Sequence, residues 1–152
     1  MTYINTEPRV QALKQLLTLD DNWFFLTVNG ITNSRYRFEE DLLKIAQWTN
    51  RYCLGRSYLQ KNKTMRIFGS VEVGGLQEGL HAHLLINKPE DVRRSDQELN
   101  NFIRTRWLKL SGAKGRVAGN LVHFEKARDF QSVCDYIMKT VRSSQNDTLL
   151  YI

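Results

Sequence analysis

The chain has 152 residues, 41% of them hydrophobic, with three Trp, six Tyr and seven Phe, which is the composition of one globular domain (1–152) and excludes a disordered or repetitive chain. No apolar run approaches membrane-spanning length, and the stretch Met1 to Glu7 lacks a basic-then-apolar secretion pattern, so the expected location is the cytoplasm, with Cys53 and Cys134 reduced and structural. The formal charge of +6 is unevenly distributed along the chain and points to an acidic partner, not a membrane.

In chain order, Thr6-Glu7-Pro8 opens an expected short helix with Val10, Leu13, Leu16 and Leu17 inward, ending at Asp20-Asp21. Trp23 to Val28 is apolar on both faces, as a central strand is, and Asn29-Gly30 stops it. Phe38, Leu42, Ile45, Trp48 and Tyr52 recur at helical spacing and predict an amphipathic helix from Tyr36 to about Tyr52, with Gly55 as its stop. Met65 to Val73 reads as a strand, Gly74 to Gly79 as a turn, and Leu80 to Ile86 as a second strand ending near Asn87-Lys88-Pro89. Ser95-x-x-Glu98 is a capping box for a helix carried by Leu99, Phe102, Ile103 and Leu110 toward Gly112. Val117 to Glu125 predicts another strand, with Val122 and Phe124 on one face and His123 and Glu125 on the other. A last helix is expected from about Asp129, its buried stripe formed by Phe130, Val133, Cys134, Ile137 and Val141.

The hairpin holds the chemistry. Alternation puts His81 and His83 on one face of their strand and Leu80, Ala82, Leu84 and Ile86 on the other. If Val73 faces Leu80, then Glu72 lies opposite His81 and Ser70 opposite His83, so one carboxylate and two imidazoles share a face. Such a mixed nitrogen and oxygen set suits Mn²⁺ or Mg²⁺ rather than a closed structural zinc site. Glu78 and His123 compete for the third position; Glu72 is preferred because register alone places it.

Two stretches concentrate positive charge. Arg51, Arg56, Lys61, Lys63 and Arg66 run without an acidic residue and with Tyr52 and Tyr58 interleaved; Arg104, Arg106, Lys109, Lys114 and Arg116 follow the same pattern around Trp107. Both suit a phosphate backbone with aromatics for base stacking, against the plainer reading of a solvated basic face. On the last helix Tyr136 stands about 100° from Ile137, at the rim of the stripe, with Lys139 one turn further.

The order of these segments resembles the HUH endonuclease superfamily, in particular its rolling-circle replication initiators. Phe24-Phe25-Leu26-Thr27-Val28 is similar to the first motif of that family, His81-Ala82-His83 to its histidine motif, and Tyr136-Ile137-Met138-Lys139 to its third. Glu72 falls where several members carry an acidic ligand, and Ala82 is smaller than the apolar residue common there. The resemblance implies an α+β fold, a mainly antiparallel sheet of about five strands flanked by helices, related to ferredoxin-like folds. It implies site-specific nicking of single-stranded DNA at a replication origin, hairpin or not, of a plasmid or a virus, in the cytoplasm or a host nucleus, with host replication proteins as further partners. Tyr136 would be the nucleophile, Lys139 would position the phosphate or favour the phenolate, and Glu72, His81 and His83 would hold Mn²⁺ or Mg²⁺. A single tyrosine on the last helix favours single-tyrosine initiators, with single-tyrosine transposases as the alternative. A non-catalytic single-stranded nucleic-acid binder is the alternative of a different class.

Overall fold

The computed structural model describes residues 22–30, 34–73, 80–110, 122–127 and 149–151. These form five strands and two helices: β1 (Trp23–Asn29), α1 (Arg35–Leu54), β2 (Ile67–Val73), β3 (Leu80–Asn87), α2 (Asp96–Leu110), β4 (Val122–Lys126) and β5 (Leu149–Tyr151). Every pairing is antiparallel, in the order β4-β1-β3-β2-β5. The α+β architecture expected from the sequence is the one observed. The expected helices before Asp20 and after Asp129 lie outside the described residues.

Both described helices cover the same face of the sheet. Phe38, Leu42, Ile45 and Ala46 of α1 and Leu99, Ile103 and Trp107 of α2 join Leu26, Val28, Ile67, Val71, Ala82, Leu84 and Ile86 in one buried core. Each helix is stopped locally. Ser34 caps α1, its Oγ accepting from the Arg37 N–H at 3.4 Å, and Gly55 ends it at φ 90°, where a side chain would strain the backbone. Ser95 and Glu98 cap α2 reciprocally, at 3.1 and 2.8 Å, as the capping box predicts.

Three contacts fix the helices against the strands that matter. Asn50 donates to the Ala46 carbonyl within α1, and its Oδ1 accepts from the Met65 N–H at 2.7 Å, which sets where β2 begins. Trp107, fully buried, donates from Nε1 to the Asn29 carbonyl at 2.9 Å and meets the Phe38 ring edge to face. It therefore belongs to the core and offers no surface for a nucleic-acid base, contrary to its expected place among the aromatics of the second basic stretch. Gly30 donates to the Leu80 carbonyl at 2.8 Å, and a Cβ there would run into the Phe38 ring, so only glycine lets α1 settle this close to the β1 end.

Candidate metal centre

The sheet face turned away from α1 and α2 is ordered in rows. Register sets Phe25, Leu85 and Phe68 side by side, then Thr27, His83 and Ser70, then Asn29, His81 and Glu72. The first row is apolar, and Leu85 and Phe68 are buried. The next two are polar. Val73 pairs with Leu80, Glu72 with His81 and Ser70 with His83, the register expected from the sequence.

The three groups converge. His81 Nε2 lies 2.6 Å and His83 Nε2 3.3 Å from the same oxygen of Glu72, Oε2. One ligand atom from each residue falls within 4.8 Å of the others, and all three side chains are at most 22% exposed. Two imidazole nitrogens and a carboxylate oxygen aimed at one point are the donor set that a divalent cation of borderline hardness takes. Burial holds the His83 imidazole below its ordinary value, against the pull of Glu72, and the added charge of His81 works in the same direction as burial. It is therefore neutral at pH 7, the form that ligates a metal.

Support for the ligands comes from a strand remote in sequence. Thr27 Oγ1 stands 3.0 Å from His83 Nδ1, and the Phe25 ring lies parallel to the His83 ring, 5.8 Å between centroids. With the proton on Nδ1 donated to Thr27, the Nε2 lone pair faces Glu72 and the ligand position, as when a hydrogen bond to the far ring nitrogen orients a metal-binding histidine. Ser70 Oγ, on the other flank of His83, is buried and has no hydrogen-bond partner among the described residues. A buried hydroxyl beside a ligand histidine is consistent with a polar group, such as an ion's water, being part of the working site. Ser70 is placed opposite His83 by the register that selects Glu72, whereas Thr27 carries no distinguishing sequence pattern and is flagged only once its strand is known to lie beside β3.

Of the two competing ligands, His123 does not join the cluster. His123 stands in the same row as Thr27 but on β4, two strands from His83, which is roughly 10 Å at ordinary strand spacing. It is exposed and lies 3.5 Å from Glu125. Glu78, Tyr136 and Lys139 are outside the described residues.

Among the described residues, the basic side chains lie on several elements. Arg56, Lys61 and Lys63 are exposed in the segment between α1 and β2, and Tyr58 and Arg66 are half-buried there. Lys63 sits 3.4 Å from Asp91, an acid supplied from after β3 that inspection of the local stretch does not reveal. Arg104 donates to Asn100 along α2, and Lys109 is exposed near its end. Arg51 and Arg106, from different stretches, both line one groove between the two helices. Lys114 and Arg116 lie outside the described residues. No helix among the described residues is long and apolar enough to cross a membrane. No family model matches the chain, and neither does any curated protein.

Proposed function

We propose that this chain nicks single-stranded DNA and holds the cut end, as a rolling-circle replication initiator with one catalytic tyrosine. The observation that carries the reading is the convergence of Glu72, His81 and His83 within 4.8 Å on one sheet face. Their support by Thr27, from the strand that resembles the family's first motif, favours it further.

Glu72, His81 and His83 would hold Mn²⁺ or Mg²⁺, which when bound polarises a phosphodiester and neutralises charge on its oxygens. Tyr136 supplies the nucleophile. Its phenolic oxygen forms a bond to phosphorus as the bond from phosphorus to the 3′ oxygen breaks. The phenol's proton goes to solvent, the departing oxygen takes one up, and a 5′-phosphotyrosyl link and a free 3′-hydroxyl result. An ordinary phenol, with a pKa of about 10, is poorly nucleophilic at pH 7, so either its proton must be removed or the phosphate made more reactive; the ion would do the second, and Lys139, one turn from Tyr136 on the helix expected from the sequence, would position the phosphate or favour the phenolate.

The test is Tyr136→Phe. It removes one hydroxyl, so folding and DNA binding should survive while nicking and a denaturant-resistant protein–DNA adduct vanish together. Cleavage retained in the variant, or an adduct mapped to another tyrosine, would reject the assignment. Binding without either product in the wild type would favour a non-catalytic binder.

A further inference from the structure

On the opposite side of the sheet from the metal centre, α1 and α2 enclose a solvent-open groove of about 380 Å³ lined by Trp48, Arg51, Tyr52, Phe102 and Arg106. Its rings and guanidiniums form a ladder. Arg94 lies over the Tyr52 ring at 4.3 Å, Tyr52 stacks on Phe102 at 4.1 Å and 6°, and Arg106 reaches over Phe102 at 5.3 Å and Trp48 at 5.6 Å. The aromatic faces are thus used to hold cations. A guanidinium held over a ring face still has N–H donors to offer an anion.

The charges are not compensated within the described chain. None of Arg51, Arg94 and Arg106 has a carboxylate within ion-pair distance among the described residues. Glu98 feels the field of Arg94, but its carboxylate accepts from the Ser95 N–H. Three guanidiniums, Arg51 from α1, Arg94 just before α2 and Arg106 within it, the last two held over aromatic rings, make a track for an extended polyanion.

We infer that this groove binds the sugar-phosphate backbone of a DNA strand outside the cleavage site, through Arg51 and Arg106 in its lining and Arg94 beside it over the Tyr52 ring, without reading its bases. The inference rests on the nicking function proposed above, which supplies a DNA strand longer than the metal centre covers. Because the ring faces are occupied by one another and by guanidiniums, stacking of bases on Tyr52 is not available, and binding here depends on salt and strand length rather than on sequence.

The experiment is fluorescence anisotropy of a labelled deoxythymidine homopolymer of about 30 nucleotides, long enough to occupy more than one contact surface, titrated with the full chain at several salt concentrations. Losing three phosphate contacts, at about 0.7 of a slope unit each for a single strand, flattens the salt dependence of R51Q/R94Q/R106Q by about two units. Arg51 takes no part in the ring ladder, so Arg51→Gln alone tests the same point, at about 0.7 of a unit, if the triple variant fails to fold. Lys44, exposed on the same helix beside Asp41, is the control: Lys44→Gln leaves the slope as it was.

An unchanged slope in the arginine variants overturns the inference, as does an equal flattening by Lys44→Gln. Competition by polyglutamate of matched charge as effective as that by DNA would also overturn it, making the groove a surface for an acidic polypeptide. Failure of the wild type to nick DNA or form an adduct would reject the nicking function and is read in a separate assay, so the two failures are distinguishable.

Discussion

Glu72, His81 and His83 share a face through strand alternation and one antiparallel register, and the Thr27 hydroxyl reaches His83 from 56 positions away on the strand beside β3. The role of Thr27 is testable. Thr27→Val keeps the shape and deletes the hydroxyl that orients His83, so Mn²⁺ affinity is expected to fall about 10- to 100-fold with the fold intact. An unchanged dissociation constant in a Mn²⁺ titration would reduce Thr27 to packing. Cys53 illustrates the opposite case, a reactive residue type made inert by its surroundings. Burial pushes its thiol up to about 11, against the pull of Lys88 and Arg94, from an ordinary 9.0. A raised thiol pKa means less thiolate at any pH below it, so alkylation of Cys53 at pH 8, followed by peptide mapping, should run about 100-fold slower than that of an unperturbed thiol.

Among the elements, the β2–β3 hairpin, α1 and the capping box of α2 follow from local pattern, and each is observed within two residues of its expected bounds. β5 is different. Three residues, Leu149–Tyr151, form an edge strand against Phe68 to Ser70, and a run that short has no period to read. Gly69 in β2 is likewise silent in sequence. A Cβ there would overlap the His83 carbonyl oxygen and crowd Leu84, so the close approach of β2 to β3 requires glycine. Gly69→Ala must push the two strands apart beside the ligand row. It is expected to cost at least about 2 kcal/mol in urea unfolding and to weaken Mn²⁺ binding with it. Wild-type stability in the alanine variant would show that the hairpin has slack at this point.

At the scale of the whole molecule, the sheet separates two surfaces of unlike chemistry, the ligand rows on one side and the arginine ladder across the helices on the other. The layered α+β plan could be anticipated from segment order and amphipathic stripes. That residues from both basic stretches meet at one groove could not, because helix–helix neighbours are set by tertiary packing. If the ion binds only the folded chain, Mn²⁺ at 100 times its dissociation constant adds about 2.7 kcal/mol, a rise in melting temperature of about 5–10 °C that EDTA reverses. The shift should be absent in His81→Ala/His83→Ala. Should it persist there, the ion sits elsewhere. Glu72 and His81 are nine positions apart, whereas the Thr27 support arrives from 56 positions away. Closing a short loop is fast and entropically cheap, so the ligands can gather in the hairpin before β1 docks. Bound there, the ion acts on the folding nucleus as well as on the finished site, and Mn²⁺ should lengthen the native lifetime less than it quickens refolding.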